Sequence, residues 1–210
     1  MRKTEHIIDT IGSIDDLIES NNEIINKFND LLWARYLKFK EYIKDNKTNT
    51  LKTKNIASIT TGKKNANAAS PNGKYAFFTC SLEDYKTDNY CFDCEAIIIA
   101  GNGAINVKYY NGKFDAYQRT YIITTKENFF YLYFIYKDSI NSLIASSKGS
   151  VINFITLNML QEIDVAMTSI SEHKDFETQC SIIMNNIFSL KQKNEKLNKI
   201  KQQYLNKYFG

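Results

Sequence analysis

Three stretches of the chain carry different hydrophobic periods. In the first, apolar residues recur at Ile14, Ile18, Ile25, Phe28, Leu32, Phe39 and Tyr42, alternating four and three apart if Asn21 and Arg35 fill the gaps. That spacing is helical, and no period-two pattern competes with it. Ser13 and Asp16 have the spacing at which each side chain can satisfy the other's backbone N–H, so the helix is expected to begin at Ser13. A second row at Leu17, Ile24 and Leu31 widens the stripe, and a stripe that broad predicts more than one packed neighbour. At the other end of the chain, Phe176, Cys180, Ile183, Ile187, Leu190, Leu197, Tyr204 and Tyr208 follow one 4-3 track, with Asn194 and Lys201 as polar members. This is the pattern of a coiled-coil seam. Neither Pro nor Gly interrupts residues 171–209, which predicts one continuous helix from Asp175 to Phe209, about 50 Å long at 1.5 Å per residue. An Asn in such a seam costs stability and can fix register; it can equally be tolerated at the seam's edge, and both Asn21 and Asn194 are open to either reading.

Between the two helices the pattern changes. Short apolar runs, Ala96 to Ala100 and Tyr121 to Thr124, enclose a segment rich in Gly, Asn, Lys and Tyr, which reads as strands presenting polar loops. A strongly apolar helical pattern returns only at 128–146. The expected fold class is α+β. A mixed, mainly β domain spans 48–170, flanked by helices in 1–47 and 171–210 that pair as an antiparallel coiled-coil stalk.

Composition sharpens this picture in one place. At 210 residues and 43% hydrophobic content the chain is a folded protein with one sizeable core. A net charge of +4 decides little, but no acid occurs between Asp45 and Glu83 while six lysines do. That local excess would attract a polyanion. Within it, the loop at 60–75 displays Lys63, Lys64, Asn65, Asn67 and Lys74 around Gly62, Gly73 and the sole proline, Pro71. A second loop system holds Asn102, Lys108, Lys113, Gln118 and Arg119. Lysines suit phosphates, whereas Arg, Gln and Asn suit base edges. A solvated lysine-rich loop would have the same composition, and Arg119 could equally brace the loops by binding backbone carbonyls.

Other chemistries find less support. Cys91 and Cys94 make a single C-x-x-C with Cys80 upstream, but zinc would need a fourth ligand, and His6 and His173 lie far off in sequence. No metal site is expected. Gly62-Lys63-Lys64 lacks the remaining residues of a phosphate-binding P-loop. The Ala100-Gly101-Asn102-Gly103 run follows a strand as a dinucleotide loop does, yet the residues after it read as another strand rather than a helix. Glu83, Asp84, Asp88, Asp93, Glu95 and Asp115 could form a metal-dependent nuclease site, although nothing in their spacing demands it. A coiled-coil scaffold without DNA reading is a further alternative. No signal-peptide-like region and no run of transmembrane length occurs, so a reducing cytoplasmic location without membrane attachment is expected.

Four segments resemble the specificity subunit of type I restriction-modification systems: ITTGKKNANAASPNGKYAFFTCS, NYCFDCEAIIIAGNGAINVKYYNGKFDAYQRTYII, and the helices IGSIDDLIESNNEIINKFNDL and DFETQCSIIMNNIFSLKQKNEKLNKIKQQYLNKYF. The central block is the more specific part, with its Gly-Lys, Gly-Asn-Gly and Gln-Arg-Thr elements in the family's order. The resemblance implies a non-catalytic target recognition domain that reads one half of a bipartite double-stranded DNA site. It also implies conserved spacer helices that dock methyltransferase subunits, with S-adenosylmethionine bound by those partners and a restriction subunit recruited to the assembly. A full subunit is similar to two recognition domains with two spacer helices, so this chain resembles a half subunit or the second half of a full one; if it is a half subunit, a homodimer would complete a site. The proline-rich entry to the last helix is absent: TSISEHKDFETQ stands there. The sole proline also rules out the [DN]-P-P-[FY] loop of an adenine methyltransferase, which places that chemistry on a partner.

Overall fold

The structure is a computed structural model and describes residues 2–83, 85–146 and 154–209. The chain forms two compact units, one of Met1–Lys40 with Thr178–Gly210 and one of Glu41–Glu177.

The first unit is an antiparallel helical pair built from α1, Arg2–Asn46, and α5, Ile170–Phe209. Its buried residues follow the periodicity: Ile7, Ile14, Ile25 and Leu32 on α1, and Cys180, Ile183 and Ile187 on α5. Asp15 receives both carboxylate bonds from Lys201 Nζ at 2.6 and 2.7 Å, and the Asn21 amide donates to Asn194 Oδ1 at 2.7 Å. Arg35 donates to Gln179 further along, so the paired positions fall along α1 as they rise along α5. Asn194 is buried and its own amide donates to Asn22 Oδ1 at 2.9 Å, which makes a three-asparagine layer across the pair.

Three expectations for α1 need correction. The helix does not start at Ser13 but runs through it from Arg2; the Ser13 hydroxyl bonds back to the Asp9 carbonyl instead of capping. Beyond Leu32 Phe39 is buried as expected, but Tyr36 and Ile43 are buried in place of Arg35 and Tyr42. A straight helix drifts against a strict seven-residue repeat, and the larger buried ring and aliphatic side chain win. The second row does not pack against a neighbour within this chain: Leu17, Ile24 and Leu31 are 54%, 38% and 43% exposed.

The second unit is built on a six-stranded sheet ordered β2-β7-β5-β6-β3-β4. The strands are β2, Ser58–Thr61; β3, Tyr75–Phe78; β4, Tyr85–Thr87; β5, Phe92–Ala100; β6, Val107–Ala116; and β7, Thr120–Thr124. Only β3 and β6 run parallel. The Ala96-Ile-Ile-Ile-Ala100 run is buried on both faces. Ile98 joins Phe78, Phe114 and Ile122 in one cluster. Ile97 pairs with Tyr109, whose ring meets Phe129, Phe130 and Tyr133 of α3, Phe129–Ser146, on the other face. A central strand covered on both sides needs no polar alternation, which is why it reads as a continuous apolar run.

A two-stranded ribbon joins the entry and exit of this unit. β1, Asn49–Lys52, pairs antiparallel with β8, Asp164–Met167, and the short helices α2, Thr53–Ile56, and α4, Leu157–Gln161, flank it. Glu177 accepts from the backbone N–H groups of Phe130 and Tyr131 at 2.9 and 2.8 Å, capping the start of α3. Burial pushes its carboxyl above the usual range, although those two bonds pull it back. His173 Nε2 accepts from Thr168 N–H at 3.2 Å, and burial holds the ring below its ordinary pKa.

Candidate nucleic-acid interface

The two predicted loop systems meet. Past the end of β2, Lys64 N–H donates to Ala116 O at 3.3 Å, and Lys64 O accepts from Gln118 N–H at 3.0 Å. Gly62 N–H donates to Thr120 O at 3.1 Å. The Gly62 bond continues the β2–β7 ladder, but β2 lies three places from β6 in the sheet, so the two Lys64 bonds require the sheet to curl until the extensions of β2 and β6 touch. Glycine permits the contact: a Cβ at Gly62 would stand 2.1 Å from Ala116 O, a backbone atom that cannot swing aside.

The turn between β6 and β7 is tied in turn to the loop after β5. Arg119 O accepts from Gly101 N–H at 2.9 Å and from the Cys80 thiol at 3.5 Å, while Gly101 O accepts from Ile155 N–H at 2.8 Å. A loop with its backbone bonded at this density can hold side chains in fixed positions. Lys63, Asn65, Asn67, Gln118 and Arg119 are all exposed on it. Lys64 is half-buried and Asn102, also half-buried, makes a backbone bridge with Phe154.

Three predicted lysines stand apart from that group. Lys108 Nζ donates to Leu82 O at 2.9 Å and lies 5.9 Å from the centre of the Phe78 ring, so it braces a loop as well as carrying charge. Lys74 is exposed just before β3. Lys113 projects from β6 with its ammonium 4.8 Å from the centre of the Tyr90 ring, and hydrogen bonding to the Tyr90 side chain raises its pKa. Tyr90, in the polar stretch between β4 and β5, is not among the predicted residues.

Beneath Lys63 and Lys64 lies a fully buried carboxylate. Asp115 Oδ1 accepts from Ala116 N–H at 2.8 Å. Its contact with the Cys91 thiol, together with burial, pushes that thiol up, while Lys63 and Lys64 pull it down. Asp115 is thus enclosed beside the lysines, and Glu95 accepts from the Tyr109 hydroxyl at 2.9 Å. Asp84 lies outside the described residues. Among those described, no three His, Cys, Asp or Glu side chains gather as metal ligands. The Gly-Asn-Gly run leads into β6, a strand, so no helix N-terminus stands behind it to hold a cofactor phosphate. No described helix is long and apolar enough to cross a membrane.

No family model matches the chain. The Escherichia coli type I restriction enzyme EcoDI specificity subunit is 33% identical over 158 residues, which is 74% of this chain and 35% of that protein. The crystal structure of a type I restriction-modification S subunit from M. genitalium superposes on the whole chain with a TM-score of 0.67 at 15% identity, and the match takes in 59% of that subunit. The chain therefore spans about a third of the curated relative and little more than half of the solved one. It shares the α+β architecture of that S subunit throughout, and across three-quarters of its length it is a relative of the type I restriction specificity subunits.

Proposed function

We propose that this chain is a sequence-specific DNA-binding specificity subunit that reads one half of a bipartite duplex site and positions a separate adenine methyltransferase. The observation that carries the reading is the backbone stitching of Lys64 to Ala116 and Gln118, which gathers exposed Lys63, Asn65, Asn67, Gln118 and Arg119 on one rigid set of loops. Charge and amide chemistry then divide the work. The lysines neutralise phosphates, and Arg119, Gln118 and the asparagines face base edges. The specificity subunit to which the chain is related supports the same assignment.

Catalysis belongs to partners in this reading. S-adenosylmethionine binds the methyltransferase, and a restriction subunit joins the same assembly. The exposed apolar row Leu17, Ile24 and Leu31 on α1 suits the packing of partner helices against the helical pair. The test is to copurify the chain with its methyltransferase and map methylated adenines. Methylation at one defined sequence, only when the chain is present, is the expected result. Arg119→Ala should then reduce affinity for that sequence by about 1–3 kcal/mol and relax specificity at one position. Equal weakening on all sequences with a lower melting temperature would instead make Arg119 a brace for the loops.

A further inference from the structure

The polar surface extends past the loops to an aromatic element. Tyr90 is 41% exposed between β4 and β5, large for a tyrosine with ordered neighbours. Its ring is backed by Tyr75, with centroids 4.8 Å apart and planes tilted by 57°. Lys113 approaches the same ring from β6. Tyr75 and Lys113 sit on sheet strands, so both neighbours of Tyr90 are held by the framework.

The surroundings are basic. Lys74 and Lys86 are exposed on the β3–β4 hairpin, and Cys91, next to Tyr90 in sequence, lies within the influence of Lys63 and Lys64. Asp93, paired with Lys113 across β5 and β6, is the nearest opposing charge, and Asp88 is exposed beyond β4. A rigid tyrosine backed by a second ring, bordered by ammonium groups and continuous with the loop cluster, has the composition of a nucleic-acid stacking element. Such elements set a ring against base or sugar surface while cations take the phosphates. A protein-binding patch would be expected to shed lysines.

We infer that Tyr90, supported by Tyr75 and flanked by Lys113, is a second DNA-contacting element that packs its ring against base or sugar surface beside the half-site read by the loops. The inference rests on the DNA-reading function proposed above, and its test separates the two. The 210-residue chain is used to enrich a duplex from a library with a randomised core, and affinity for that duplex is measured by fluorescence anisotropy across a salt series. Tyr90→Ala should weaken binding by about fivefold or more without changing the salt slope, because stacking is not a phosphate contact. Tyr90→Phe should bind within about twofold of the original, and Tyr90→Leu, which keeps bulk without a ring and so controls for poor folding of the alanine variant, should also weaken binding by about fivefold or more. Lys113→Ala should lower the salt slope by about one. A loss below fivefold in the alanine and leucine variants, or a phenylalanine variant as weak as alanine, overturns this inference alone. A chain that enriches no duplex overturns the DNA-reading function as well.

Discussion

At the scale of single residues, Gly62 and Gly12 make opposite cases from the same amino acid. Gly62 sits where the extension of β2 meets Ala116 backbone, and any Cβ there collides at 2.1 Å. Moving the strand to make room would break the Lys64 bonds that gather Lys63, Asn65 and Gln118. Gly12 lies inside α1, exposed, and a Cβ on it meets nothing within 4 Å. There glycine only adds freedom to the unfolded chain. Gly62→Ala should therefore destabilise the β unit by about 1–3 kcal/mol through overpacking, whereas Gly12→Ala should stabilise the helical unit by about 0.5–1 kcal/mol. Chemical denaturation of the two variants, followed by circular dichroism, reads both signs; a neutral Gly62→Ala would mean that the strand extensions can separate without loss.

At the scale of elements, the asparagine layer tests how the helices find their register. Asn194 Oδ1 accepts from Asn21 and its amide donates to Asn22, so removing one partner leaves a polar group in the seam unsatisfied. Asn21→Leu and Asn194→Leu should each lower stability by about 1–2 kcal/mol, while the double variant recovers much of the loss and loosens register. A double-mutant cycle in urea gives the coupling, and simple additivity of the two losses would show that the layer is not a unit. Helix periodicity was legible in the sequence because it is local: Ile14, Ile25 and Leu32, and Cys180, Ile183 and Ile187, are buried as their spacing implies, with Ile18 and Phe28 half-buried between them. The long strands and the α3 pattern were legible for the same reason. What escaped was non-local. The β1–β8 ribbon joins short segments far apart in the chain, and the burial of Tyr36 and Ile43 in place of Arg35 and Tyr42 depends on what faces α1. The candidate site divides likewise. Residue types identified Lys63, Asn67, Gln118 and Arg119, but only the folded backbone brings Lys64 to Ala116 and separates Lys108, which is bonded to a loop carbonyl, from the exposed set. Tyr90 was invisible because its meaning comes from Tyr75 and Lys113, on strands that sequence alone does not place beside it.

At the scale of the whole molecule, the proposed function raises the question of how one such domain would specify a bipartite site. The chain carries one curled sheet with one set of recognition loops, and it spans 35% of its curated relative. A second half-site needs a second set of loops. If a second copy of this chain supplies them, closed twofold symmetry makes each copy read the same sequence on opposite strands, and the target becomes an interrupted palindrome. The exposed row Leu17, Ile24 and Leu31, repeating every seven residues along α1, offers apolar surface for helix packing in such an assembly. Light scattering of the chain with its methyltransferase should then give two copies of the chain per complex, and methylated adenines should fall in two identical half-sites of opposite orientation. A single copy per complex, or methylation at two unrelated half-sequences, would remove the symmetric pair and require the second set of loops to come from a different sequence.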